Sequence, residues 1–445
     1  MKKIINYLAV VSLGSTCIGS TTSAQPSLQN NPPAGVMDVQ IQQAVRKYRD
    51  HIIDLRHHIH QYPELSNREF KTAQLVAEHL RALDFEVRTG IAHTGVVGIL
   101  KGGKPGPVVA VRADMDALPV TEKTDFPFKS TVRTTAGGRE VGVMHACGHD
   151  IHTAVQLGVA SVLAELRDDI PGTVLFIFQP AEEGAPAGEE GGASLMLEEG
   201  VFEDPRPEAI FGLHASAGMP VGTVGYTVGP ALAAVDHFYL TIKGTQSHAA
   251  APHHGVDPVV MAAQIVMALQ TIPSRSLDPI QPSVVTVGMI HGGEKFNIIP
   301  EEVQLEGTVR SYDEGVRDTV ERRMREIADG ITRAGGGSFT LDYGRGSPPT
   351  INDPELSNRM VPTLVQVLDA ENVIEDSPTM GGEDFAYYAL EIPGFFYWLG
   401  IVKEGTVCGP LHSPTFRADD DAVPVGMRVM SNLLIDYLYN SSGGQ

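Results

Sequence analysis

Thr173-Val174-Leu175-Phe176-Ile177-Phe178-Gln179-Pro180-Ala181-Glu182-Glu183-Gly184 is an apolar run that breaks off into two adjacent carboxylates. A run rich in β-branched and aromatic residues, with no polar alternation, is what a strand buried on both faces requires. Strands of that kind belong to sheets covered by helices on both sides, so the stretch predicts an α/β architecture. Glu182 and Glu183 then fall just beyond the strand's C-terminal end. Neighbouring side chains there point in different directions, so one carboxylate can bind a metal while the other handles a proton. Two like charges so close are costly without a cation beside them. Solvated loop acids in the company of Glu189-Glu190 are the alternative, and the apolar strand immediately before argues against it.

Outward from this stretch the pattern repeats. The apolar run Val108–Arg112 leads into Asp114-Met115-Asp116, and a strand over 209–213 is expected to end at His214. Between them lies Met144-His145-Ala146-Cys147-Gly148-His149-Asp150-Ile151-His152, ahead of a helix expected over 150–166. Thiolate and imidazole are both metal ligands. Alone, Cys147-Gly148-His149 equally describes a buried cysteine flanked by capping histidines. In an open α/β sheet, however, the loops after successive strands converge on one carboxyl edge. His412 sits in a Pro-fixed loop, Gly409-Pro410-Leu411-His412-Ser413-Pro414. Cys147, His149, Glu183, His214 and His412 make five candidate ligands, a set suited to two divalent cations about 3.5–4 Å apart with one group bridging. Thiolate and imidazole favour zinc or other late metals such as cobalt or nickel, and carboxylates suit manganese. His145 and His152 read as structural or supporting residues, and Asp150 as a helix-start residue. No G-x-S-x-G, Walker A, G-x-G-x-x-G or H-E-x-x-H pattern is present to support a rival chemistry.

The chain has 445 residues, enough for two domains, with 42% hydrophobic and 20% charged residues, as in a globular protein. A formal net charge of -21 argues against nucleic acid or anionic membrane as partners. Residues 1–24 read as a signal peptide: a basic start, an interrupted apolar stretch and small residues up to Ala24. A periplasmic or secreted protein without stable membrane insertion is therefore expected. Residues 25–35 read as a disordered leader. Of the two remaining cysteines, Cys147 takes the metal role and Cys408 a structural one, a single disulfide being the alternative.

Helices are expected over 38–61 and from Ser66 to Leu83, the second opened by a capping box of Ser66 and Glu69. From about Asp236 the order becomes β-α-β-β-α-β (strand 236–243, helix 257–271, strands 283–290 and 303–311, helix 314–334, strand 338–343), the split βαβ or ferredoxin-like sandwich. The expected organisation is a mixed-sheet α/β domain that carries the candidate site, residues 36–232 plus 345–445, with an inserted βαββαβ domain, residues 233–344.

Several motifs, in order along nearly the whole chain after residue 24, carry a resemblance: His60-x-x-Pro63-Glu64-Leu65, Arg112-Ala113-Asp114-Met115-Asp116-Ala117-Leu118, Met144–Asp150 and Gln179–Gly184. They continue with Gly212-Leu213-His214, Ser247-His248-Ala249-Ala250-x-Pro252-His253, Asn297-Ile298-Ile299-Pro300, Met380-Gly381-Gly382-Glu383-Asp384-Phe385 and Leu411-His412-Ser413-Pro414. The chain resembles the aminoacylase/carboxypeptidase superfamily of dimetal hydrolases, in its amidohydrolase branch of hippurate hydrolases, N-acyl-amino-acid amidohydrolases and auxin-conjugate hydrolases. The resemblance implies Cys147, His149, Glu183, His214 and His412 as ligands, Cys147 as their bridge, and Glu182 as general base. The peptidase branches carry a histidine where this chain has Asp114, so no ligand role is carried over there; Asp116 is expected to orient the site. The inserted domain of relatives forms homodimers and sends a histidine into the partner's site, which makes His248, with Asn297 and Arg310, a candidate contact for substrate or oxyanion. The implied activity is metal-assisted hydrolysis of an N-acyl amino acid. A dipeptidase or carboxypeptidase using the same site is the alternative, and a non-catalytic metal- or ligand-binding protein a more distant one.

Overall fold

The computed structural model describes Gly35 and residues 37–136 and 138–442. The expected signal peptide, and the leader apart from Gly35, lie outside the described residues. A mixed eight-stranded sheet forms the larger part, in the order Glu86–Ile91, Gly95–Lys101, Pro171–Gln179, Lys104–Asp114, Ala209–Pro220, Gly394–Val402, Val224–Tyr226, Val373–Glu375. The four strands from Pro171–Gln179 to Gly394–Val402 run parallel to one another, and the strand on either side of them, Gly95–Lys101 and Val224–Tyr226, joins antiparallel.

Pro171–Gln179 shows why an unbroken apolar run was needed. Val174, Phe176 and Phe178 enter one core, and Leu175 and Ile177 enter a second on the opposite face. The first core is covered by the helices Asp38–Gln61, His149–Glu165, Pro354–Leu368 and Ala422–Ser442, the second by Gly192–Glu198 and Phe385–Glu391. His149–Glu165 is buried on every side from His149 to Leu163, packed against Asp38–Gln61 and Ala422–Ser442. Its buried polar side chains are paired there, His152 with Asp114 and Gln156 with Ile177 O.

Residues 234–345 form a four-stranded antiparallel sheet in the order Ser283–His291, Glu302–Ser311, Ala234–Lys243, Ser338–Arg345. The helices Pro258–Leu269 and Glu314–Gly335 cover one face, over a core of its own that includes Phe238, Leu240, Ile265, Leu305 and Val320. The order is the split βαβ order read from the sequence. Asp257 and Asp313 cap its two helices, each carboxylate accepting from backbone amides of the first turn.

Two local expectations are corrected. The second helix begins at Phe70, and no Ser66–Glu69 capping box forms. The Ser66 hydroxyl donates to Asp116 instead, at 2.8 Å, and the Glu64 carboxylate takes over the cap by accepting from Lys71 N and Thr72 N. The strand beginning at Ala209 does not end at His214 but continues to Pro220, because Ala215, Ser216 and Pro220 go on pairing with Leu399, Gly400 and Val402. Among the described residues no helix is long and apolar enough to cross a membrane.

Candidate metal and catalytic site

The candidate residues that follow the strands meet at one edge of the large sheet. Gly148 has φ +94°, and a Cβ there would lie 2.8 Å from the Cβ of Ala215. Glycine is thus required both by conformation and by space. The resulting turn lets Cys147 face the site while His149 opens the long buried helix. His149 Nδ1 donates to the backbone oxygen of Asp116 at 2.9 Å, with the Asp116 carboxylate 3.2 Å away. That fixes the tautomer and leaves buried Nε2 facing the site with no protein partner. His214 is oriented in the same way: Nδ1 donates to Ala215 O at 2.9 Å, and Nε2 lies 3.4 Å from Cys147 Sγ.

His412 arrives from the other side, on a residue with φ +61° whose amide donates to Ala146 O at 2.8 Å. Its Nε2 is 3.2 Å from Cys147 Sγ and 3.1 Å from Glu183 Oε1. Glu183 N donates to the Asp116 carboxylate at 3.0 Å, so one aspartate steadies both His149 and the acidic pair. The ligand-type atoms fall into overlapping groups: Cys147, His149 and His214; Cys147, Glu183 and His412; His149, Glu182 and Glu183. Cys147 is shared by the first two. The unmatched Nε2 of His149 and the thiol between two imidazoles are a donor set of the type that divalent cations satisfy.

Burial and neighbouring charges shift several of these groups. Burial pushes the Cys147 thiol up. Burial would lower His149, but the charge of Asp114 and the hydrogen bond to Asp116 outweigh it and hold His149 well above the ordinary imidazole range. His214, buried beside His152, is held well below that range. Hydrogen bonds to Cys147 and Glu183 raise His412 to about 10. Ligands must shed such protons to bind a metal, so loading the site releases protons. Glu182, with its side chain 10% exposed, has Oε2 3.8 Å from His149 Nε2. Burial, then repulsion from Glu383, Asp384 and Glu183, lifts its carboxyl well above the usual range.

Behind the site Arg112 is fully buried. It donates to Asp114 at 2.8 Å, Glu383 at 2.9 Å, Asp384 at 2.8 Å and Gln179 at 2.8 Å, which ties two strand ends to the loop 381–384. His152 completes the support, donating from Nδ1 to Asp114 at 2.6 Å and accepting Ala215 N at 2.8 Å. Asp150 does more than start a helix: it pairs with Arg56 and His60, each at 3.0 Å, in the interior. Cys147 and Cys408 are both free thiols, and Cys408 donates to Arg417 O at 2.7 Å.

A cavity of about 700 Å³ opens over the site, lined among others by Cys147, Glu182, Glu183, His214 and His412. Its walls include Leu232, Val235, Thr379, Gly382, Tyr387 and Trp398, none of which stood out in the sequence as a wall residue. Trp398 had a readable signal: it is the only tryptophan in the chain, and it lies on the strand next to His214, ring centroids 5.5 Å apart. His248, Asn297 and Arg310 do not line this cavity within one chain. His248 is exposed, its Nδ1 accepting from Ala250 N; Asn297 O accepts from Ala249 N; Arg310 donates to Val309 O and to Thr308 Oγ1.

A sheet edge that gathers a thiol, three imidazoles and two carboxylates under an open cavity defines a metallohydrolase-type centre. Residues 110–436 match the family model described as Peptidase family M20/M25/M40, and the chain belongs to that family. Thermostable carboxypeptidase 1 of Saccharolobus solfataricus is 40% identical, the alignment covering 88% of this chain and 97% of the relative. N-acetyl-L-cysteine deacetylase of Bacillus subtilis is also 40% identical, over 84% of each. Among solved structures the chain is similar to the Bacillus subtilis YXEP protein, described as a dinuclear metal binding peptidase from the M20 family. That match has a TM-score of 0.75 and 35% identity, covering 88% of this chain and 99% of the other. The protein is accordingly a metal-dependent hydrolase of the amidohydrolase and peptidase type.

Proposed function

We propose that the protein hydrolyses the amide bond of N-acyl amino acids, giving a carboxylic acid and an amino acid. The observation that carries this reading is Glu182, a nearly buried carboxyl beside Glu183 that sits 3.8 Å from His149 Nε2. Cys147, His149, Glu183, His214 and His412 would hold two cations, zinc or manganese by donor type, with Cys147 shared between them. Such ions supply Lewis-acid polarisation of the carbonyl and a water of lowered pKa. Glu182 takes the proton of the attacking water and returns it to the leaving nitrogen. Asp116 keeps His149 and the acidic pair in register. The apolar wall of Leu232, Val235 and Trp398 suits a hydrophobic acyl or side-chain group. A homodimer formed through residues 233–344, with the partner copy bringing its own His248 to the oxyanion, and export directed by residues 1–24 belong to the same proposal.

The carboxypeptidase among the relatives favours a second reading, cleavage of short peptides. A panel of N-acetyl- and N-benzoyl-amino acids run against dipeptides, with zinc or manganese present, separates the two. Acyl amino acids are expected to be the faster substrates; cleavage of dipeptides alone would overturn the proposal in favour of the second reading.

A further inference from the structure

Three consecutive residues outside the ligand set grip the loop that carries Glu182 and Glu183. Glu69 is 0% exposed, yet its carboxylate neither caps its own helix nor pairs with a cation. Oε1 accepts Ala181 N at 3.0 Å and Asn67 N at 3.1 Å, and Oε2 accepts the Thr94 hydroxyl at 2.6 Å. Ala181 has φ +54°, an unfavoured conformation for a residue with a side chain, and its oxygen accepts Gly184 N to close the turn holding the acidic pair. The far end of the loop is held by Asn67, whose Nδ2 donates to Glu190 O at 3.0 Å and to the Glu189 carboxylate at 3.1 Å. Arg68 between them pairs with Glu189.

We propose that Asn67, Arg68 and Glu69 form a clasp closing both ends of loop 181–191, and that Glu69 is the positioning residue that keeps Ala181 in its left-handed turn and so aims Glu182 and Glu183. The proposal rests on the reading of Glu182 as base and Glu183 as ligand. It accounts for the buried Glu69 carboxylate, since a backbone amide at a strained turn is held by a fixed acceptor rather than by water. The clasp needs two acceptor positions and no charge, because an amide keeps one oxygen for Ala181 N and Asn67 N and can donate to the Thr94 hydroxyl.

The test compares wild type with Glu69→Ala, Glu69→Gln and Asn67→Gly, the last a change that tolerates the φ of +58° at that site. Hydrogen–deuterium exchange on the metal-free protein reads the loop directly. Glu69→Ala is expected to speed exchange in peptides covering 181–191 by about tenfold or more, and Asn67→Gly to do so at 189–191, with helix 149–165 unchanged. Per folded, metal-loaded subunit, Glu69→Ala is expected to lower kcat by about 100-fold with KM within about threefold, because misplacing a reacting group costs rate rather than binding. Glu69→Gln is expected to restore both readouts. Wild-type exchange of the loop in Glu69→Ala and Asn67→Gly, or a Glu69→Gln variant as impaired as Glu69→Ala, would overturn the clasp. If wild type cleaves no amide, the proposed function fails, and the exchange measurement alone then decides the clasp.

Discussion

At the scale of single residues the account turns on Glu182. Its neighbour Glu183 has a ligand's surroundings, with Oε1 3.1 Å from His412 Nε2, whereas Glu182 faces His149 and a wall of further carboxylates. Glu182→Gln keeps the size and removes the base, so kcat is expected to fall by about 10²–10⁴-fold with the bound metal unchanged. Turnover and metal analysis on the same preparation check this; full turnover would remove Glu182 from its role. The acidic pair was legible because two carboxylates directly after an unbroken apolar strand are costly to hold together without a cation or a proton between them. The supporting roles of Arg112, Glu383 and Asp384 were not. Arg112 meets Glu383 across 271 residues of chain, a distance that no local pattern encodes.

At the scale of elements the helices are joined by buried charge as well as by apolar packing. Arg56 and His60 on Asp38–Gln61 meet Asp150 on His149–Glu165, and His60 also meets Glu122 at 3.2 Å. Burial alone would lower His60, but the charge of Asp150 and the bonds to Asp150 and Glu122 raise it to about 9. A group raised in the folded state stabilises fully below its unfolded value near 6.5 and loses that contribution as pH rises through about 9. His60→Gln should therefore cost most near pH 6, on the order of 3 kcal/mol from linkage, and progressively less towards pH 9.5. Urea unfolding across that range checks the slope, and a cost that grew with pH would contradict it. Element types were largely readable, since the period of 3.6 in Asp38–Gln61 and the apolar run in Pro171–Gln179 are strong signals. The Ser66–Glu69 box misled because its spacing also suits two side chains recruited elsewhere, Ser66 to Asp116 and Glu69 to Ala181. His214 was placed at a strand end because the apolar run stops there, while pairing with Gly394–Val402 carries the strand further.

At the scale of the molecule one sheet edge assembles candidate ligands from positions 147 to 412, and a second sheet-and-helix unit, residues 234–345, has its own core. The change from α/β alternation to β-α-β-β-α-β order made that organisation visible in the sequence. Which loops would wall the cavity was hidden, because Leu232 and Thr379 meet through an isolated bridge outside the large sheet that carries Trp398, a juxtaposition that no local pattern encodes. The central claim is that this edge is a two-cation centre for amide hydrolysis. Its most direct test is to strip the protein with a chelator, then titrate zinc or manganese while following both bound metal and cleavage of an N-acyl amino acid. The expected result is no turnover in the stripped protein and recovery that is complete at about two ions per chain. Undiminished turnover in the stripped protein, or binding of both ions with no hydrolysis of any acyl amino acid or peptide, would contradict the account.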